Sequence, residues 1–266
     1  MNPYRCVFQM GIEKALEYRV NFFLSLLSSV FPIVIQTFLW NYLYANSDAA
    51  TVTGYSHSQI LVYTLLATIV SKLVSTGFEY EMNNDIKSGG LNKYLVRPVD
   101  YKRYCFFSFL GQKVPQFLMI LAVASGLIAF SVWGLALSMS AGRIFVFLIS
   151  LLLALVLNFY IFYCLALCSF WLTDVNLLFG TVSVVLVVAS GGVFPLDIFG
   201  EKTAFLVNLL PFGYTTQFPV NIINGRLGWE RVGIGIVCQI VWIAIFLSLG
   251  KHLWKRGLKH FAAVGG

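Results

Sequence analysis

Long apolar runs alternate along this chain with short polar interruptions. The runs occupy about Asn21–Tyr44, Gln59–Phe78, a stretch ending near Trp133, Ile144–Leu172, Val175–Phe194 and Val232–Trp254. Each approaches the roughly 20 residues that an α-helix needs to cross the hydrocarbon core of a bilayer. The pattern therefore predicts an all-α integral membrane protein with six transmembrane helices. The start of the third run is blurred by Gln112, Lys113 and Pro115. Polar sequence at Ala45–Ser58 and Glu79–Arg103 separates the first three runs, a short loop reaches Arg143, and Thr173 and Asp174 form a tight turn in which either residue can cap the following helix. Residues 4–20 are amphipathic: Tyr4, Val7, Phe8, Gly11, Ile12, Ala15 and Leu16 recur at helical spacing, with Arg5, Gln9, Glu13, Lys14 and Glu17 off that face. This predicts an N-terminal interfacial helix lying in the headgroup plane, with a short helix packed on protein as the alternative.

Composition removes the other broad classes. Of the 266 residues, 59% are hydrophobic and 11% charged, and the mean hydropathy is +0.81. A soluble domain of this size needs more charge to clothe its surface. The five cysteines, Cys6, Cys105, Cys164, Cys168 and Cys238, all lie in apolar or membrane-adjacent sequence and read as small buried residues. The first 20 residues show no pattern of a secretory signal.

The net charge of +7 is placed asymmetrically. With the N-terminus inside, thirteen of the 18 basic residues fall in cytosolic segments: Arg5, Lys14 and Arg19, then Lys87, Lys93, Arg97, Lys102, Arg103 and Lys113, then Lys251, Lys255, Arg256 and Lys259. Only Arg143, Lys202, Arg226 and Arg231 fall outside, and Lys72 lies within the second run, where it is expected to snorkel toward the cytosolic interface. The asymmetry predicts that both termini are cytosolic. It also accounts for the basic character through the anionic leaflet, without nucleic acid.

No catalytic pattern is present: there is no phosphate-binding G-x-x-x-x-G-K-[S/T], no G-x-S-x-G and no H-E-x-x-H. No Asp or Glu lies deep in the expected spans, although ion-coupled carriers and intramembrane proteases need ionisable groups there. The chain is thus expected to bind no cofactor or metal, and any uphill transport must draw its energy from a partner. A stand-alone channel or ion-coupled carrier is the alternative; a membrane-embedded enzyme lacks a visible nucleophile and base.

Three regions stand out. The loop 79–103 reads as a helix up to Ser88, stopped by Gly89 and Gly90, then an apolar stripe of Leu91, Tyr94 and Leu95 blocked at Pro98. Apolar anchors within a charged loop suggest a docking knob projecting from the membrane, with a solvated loop as the bland alternative. Polar stripes run along the first two spans: Ser25, Ser29, Pro32 and Gln36 on one, Thr64, Thr68, Ser71 and Ser75 on the other. Such stripes serve close helix packing or line a polar pathway, and both remain open. Residues 195–231 are too apolar for an aqueous loop and too broken by Pro195, Pro211, Pro219 and glycines for a span. A re-entrant helical hairpin on the outer side fits, as does an interfacial loop resting on lipid.

Over essentially its whole length the chain resembles the permease subunits of the ABC-2 family of ATP-driven exporters. The likeness is carried by Gly90-Leu-Asn-Lys-Tyr-Leu-Val-Arg-Pro-Val99, by Gly192–Gly225 with Leu210-Pro-Phe212 and Pro219-Val-Asn-Ile-Ile-Asn-Gly225, and by the basic tail 255–266 with Trp254 before it. It departs from the family pattern at Gly200, where relatives often carry proline, and at Phe261, where tyrosine is common. The resemblance implies a single transmembrane domain over 1–266, in a bacterial plasma membrane. It implies two cytosolic ATPase subunits that hold the ATP and Mg, and a second permease, identical or homologous. Asp85, Lys87, Leu91, Tyr94, Leu95 and Arg97 would form the coupling element seated in the ATPase. Ser29, Gln36, Thr64, Thr68, Ser71 and Ser75 are the candidate pathway residues, and Phe194, Pro195, Pro211 and Phe212 the candidate outer gate. Substrates in the family include drugs, antimicrobial peptides, lipids and lipid-linked polysaccharides.

Overall fold

The computed structural model describes residues 3–46, 54–97, 99–131, 141–172, 175–200 and 209–261, and among these every regular element is a helix. The turn expected at Thr173–Asp174, the stop at Pro98, and the side chains of Ser25 and Ser29 lie outside the described residues. Helix α1 spans Pro3–Glu17 and opens on a proline, whose missing N–H costs nothing in a first turn. It ends three residues before the expected boundary. Helix α2, Arg19–Ala45, follows after Tyr18 and carries Pro32 inside it.

Helix α3, His57–Val74, begins with a capping box in which the Ser56 hydroxyl accepts the Gln59 N–H and the Gln59 side chain accepts the Ser56 N–H. The second apolar run is broken at Ser75–Gly77. The last carbonyl of α3, on Val74, would be orphaned there, but it accepts the Asn158 side-chain amide at 2.6 Å. Helix α4, Phe78–Lys87, resumes, and Gly89 at φ 76° turns the chain as expected into the single turn α5, Asn92–Leu95.

Helix α6 is Tyr101–Ser131 and α7 is Ala141–Leu167, the latter extended by a 3-10 turn at Cys168–Phe170. Helix α8, Asn176–Ala189, stops five residues short of Phe194, the end its apolar run suggested. A 3-10 turn at Leu196–Phe199 and the short α9, Gln217–Ile223, precede α10, Trp229–Gly257.

Helix α7 is the hub, packing on α10, α9, α4 and α3. Its Leu157, Phe159, Ala166 and Leu167 are fully buried, and Phe159 stacks on Phe78 at 4.5 Å between ring centres. Helix α1 packs along α6 through a face centred on Val7 and Gly11, so it is bound to protein on that side. Among the described residues, helix α2 packs mainly on α3 and leaves Phe31, Ile35, Phe38 and Tyr42 exposed. Apolar side chains of α8 and α10, including Leu177, Val184, Val237 and Ile240, also face outward. So much exposed hydrocarbon suits lipid rather than water. Among the described residues, the helical stretches His57–Lys87, Ala141–Phe170 and Trp229–Gly257 are long and apolar enough to cross a membrane, and Val30–Ala45 and Asn176–Ala189 are shorter apolar helices.

Candidate functional site

The segment from α4 to α6 is stapled by Asp85. Its Oδ2 accepts the Tyr101 hydroxyl at 2.8 Å, and its Oδ1 faces the Lys93 ammonium at 3.3 Å. Lys87 donates to the Leu172 carbonyl at 2.5 Å, tying α4 to the chain just beyond α7 and its 3-10 turn. Leu91 is fully buried, whereas Leu95 is 46% and Val96 83% exposed, with Arg97 exposed beside them. Tyr94 is half-buried, and that burial, together with its hydrogen bond to Tyr104, pushes its hydroxyl above the usual phenol range. Tyr94 and Tyr101 join Tyr104 and Trp254 in one aromatic cluster, Tyr101 stacking on Trp254 at 5.8 Å. The tip of this segment is thus Leu95, Val96 and Arg97. Leu91 instead fastens the tip to the bundle.

The polar face of α3 meets the chain between Ser190 and Gln217. Tyr63 donates to the Gly191 carbonyl at 2.6 Å, and the hydroxyls of Ser71 and Thr216 are 3.3 Å apart. Ser71 lies about 21 Å along α3 from His57 at 1.5 Å per residue, so Thr216 reaches far down the helix. Helix α8 accordingly ends beside the middle of α3. Thr64 and Thr68 donate to carbonyls of their own helix, Ile60 and Thr64, and Ser75 to Lys72. Gln36 is buried on α2, and its Oε1 has no hydrogen-bond partner among the described residues; nor has Trp40 Nε1, one turn further on. Trp40 makes an edge contact at 6.1 Å with Phe194. Pro195 and Pro211 are buried, and the half-buried Phe212 lends its carbonyl to the Thr215 N–H and hydroxyl.

Just before the start of α3, around Tyr55, a second polar cluster forms. The Tyr55 hydroxyl donates to Asp197 at 2.9 Å, and the Arg226 guanidinium lies 3.5 Å above the Tyr55 ring while donating to the Gly54 carbonyl at 2.6 Å. Burial, reinforced by the Asp197 charge, pushes the Tyr55 hydroxyl up, so it keeps its proton. Beside this cluster lies a cavity of about 430 Å³ lined by Asp197, Gln217, Asn221, Arg226 and Arg231 among others.

Several of these residues carry no motif. Gln239, fully buried in α10, donates to the Ser150 and Tyr214 carbonyls at 3.1 and 2.9 Å and accepts the Ser150 hydroxyl. Asn158 and Gln239 are single amides within long apolar runs, and that contrast is the signal that could have found them.

The class of protein is now defined: a helical membrane protein whose apolar helices surround a polar, internally tied segment. The family model described as "ABC-2 family transporter protein" matches residues 30–265, and the chain belongs to that family. It is therefore a multi-pass membrane protein of a transport system, with no catalytic role of its own. No curated protein matches the chain.

Proposed function

We propose that this chain is the permease subunit of an ATP-driven exporter. It moves an amphiphilic substrate (drug, antimicrobial peptide, lipid or lipid-linked glycan) out of the cytosol or inner leaflet of a bacterial plasma membrane. It works with two ATPase subunits and a second permease, identical or homologous. ATP and Mg are held by the ATPases. The observation that carries the reading is the exposed tip Leu95-Val-Arg97, fastened through Leu91 and Asp85 to α4 and α6. A projecting apolar tip docks a partner, and its rigid base passes the partner's motion to the helices.

Both termini and this tip face the cytosol in the proposed orientation, and six helices span the bilayer. The deep contact of Thr216 with Ser71 supports a re-entrant segment entering from the outer side. Open backbone there is shielded by α3, α7 and α10, as hydrocarbon demands. Phe194, Pro195, Pro211 and Phe212 belong to that segment and form the outer gate. The Gln36 Oε1 and the Trp40 Nε1, which have no hydrogen-bond partner among the described residues, with Trp40 against Phe194, support a pathway along the α2–α3 seam, with Ser29, Thr64, Thr68, Ser71 and Ser75 contributing.

The test is reconstitution into liposomes with a cognate ATPase subunit. Export that requires both ATPase and ATP is expected. Transport by the purified chain alone would replace this reading with a stand-alone channel or carrier.

A further inference from the structure

A cavity of about 320 Å³ opens between α1, the α3–α4 break and α6. Its volume lies within the range of about 300–1,000 Å³ typical of small-molecule sites. Three ammonium groups line it, those of Lys14, Lys72 and Lys113, and no carboxylate does. The lysines come from three separate helices, so no single helix face explains their convergence. Lys14 is paired with Glu81. Lys113 is buried, and its ammonium has the neutral Gln116 Oε1 at 3.0 Å and the Phe109 ring at 5.4 Å. Lys72 has no hydrogen-bond or ion-pair partner among the described residues, and the buried Glu79 forms no ion pair with either lysine.

Removing an ammonium from water without a counter-charge is costly. Glu81 answers the charge of Lys14, and the buried Glu79 lies within electrostatic reach of Lys113 without forming an ion pair. Lys72 is left with no direct partner among the described residues, and its convergence with Lys113 marks a place that a bound anion would complete. The amides of Gln112 and Gln116 and the hydroxyl of Thr76 add neutral donors on the same wall. Lysine is a compact point charge suited to phosphate oxygens, and basic pockets between membrane helices at headgroup level hold phospholipid headgroups. The floor is apolar, formed by Phe78 and Phe109. We infer that this cavity is a binding site for a phosphate-bearing anion, with Lys72 and Lys113 as its principal contacts. Its chemistry can be supplied by the headgroup of an anionic inner-leaflet phospholipid or by free phosphate. The inference rests on the proposed membrane orientation only for the lipid source, and it is tested without ATPase or transport.

The purified full-length chain is incubated with phosphatidylglycerol, phosphatidylcholine or inorganic phosphate. Retained lipid is read by native mass spectrometry and stabilisation by thermal unfolding. Preferential retention of phosphatidylglycerol, about tenfold weaker in Lys72→Gln and preserved in Lys72→Arg, is expected and assigns the lipid source. Stabilisation by inorganic phosphate that Lys72→Gln abolishes, with no lipid preference, supports the site with free phosphate as its ligand. Lys113→Gln serves as a second variant, scored only if it unfolds at the wild-type temperature. Equal retention of both lipids with no phosphate effect, or a preference that survives Lys72→Gln and a folded Lys113→Gln, overturns the inference.

Discussion

Gly11 of α1 and Gly111 of α6 meet back to back. A Cβ on Gly11 would lie 2.4 Å from the Ser108 carbonyl oxygen, and one on Gly111 would lie 2.2 Å from that of Phe8. Backbone stands against backbone, so neither helix can yield by turning a flexible side chain. Gly111→Ala is expected to lower stability by about 1–3 kcal/mol, the usual range for overpacking. Gly233→Ala, on an exposed face of α10 with nothing within 4 Å of the added carbon, is expected to be neutral or stabilising by up to about 1 kcal/mol. Thermal unfolding of the two variants in the same detergent makes the comparison. An equal response at both positions would falsify the close-packing account.

The tip and its base separate by substitution. Leu91 is fully buried, so Leu91→Ala is expected to destabilise the chain by about 2–5 kcal/mol. Leu95→Asp and Val96→Asp, on the exposed tip, are expected to leave the melting temperature near wild type while abolishing co-purification with the ATPase. A tip variant that still assembles and still couples ATP hydrolysis to export would move the docking site elsewhere.

The existence of the long helices was legible because a span must be apolar for about 20 residues, and α2, α3, α6, α7, α8 and α10 overlap those runs, whereas the short α4, α5 and α9 lie in the polar or broken segments between them. The break at Ser75–Gly77 was less so, because Ser75 read as a continuation of the polar stripe Thr64, Thr68 and Ser71. The early end of α8 was not legible at all. Val193 and Phe194 keep the apolar run going, and the chain turns at Gly191 because Tyr63, remote in sequence, takes its carbonyl. In the loop, the 3–4 spacing selected Leu91, Tyr94 and Leu95 as one stripe. A helix of only four residues cannot hold that face, so Leu91 turns inward and Val96 outward. The lysine-lined cavity was invisible for a similar reason: Lys14, Lys72 and Lys113 are far apart in sequence and share no motif.

The Tyr63 hydroxyl offers a direct measure of how firmly the segment after α8 is held. Tyr63→Phe leaves the buried Gly191 carbonyl without that donor, a loss of about 1–3 kcal/mol. Amide exchange between Ser190 and Gln217 is expected to quicken, while that of α7 stays slow. Unchanged exchange in the segment would mean that other contacts hold it.

Packing and pathway roles for α3 diverge at Thr68, which is half-buried and whose hydroxyl is satisfied within its own helix. Thr68→Val keeps the shape and removes one local hydrogen bond, so stability is expected to change by no more than about 1 kcal/mol. Thr68→Trp adds bulk on the same face. If the α2–α3 seam carries substrate, the tryptophan variant assembles with its ATPase and hydrolyses ATP but exports little, and the valine variant exports with altered substrate preference. The valine variant isolates polarity and the tryptophan variant isolates space, so the pair reads each contribution separately. Export at the wild-type rate by a folded Thr68→Trp would assign this face of α3 to helix packing alone.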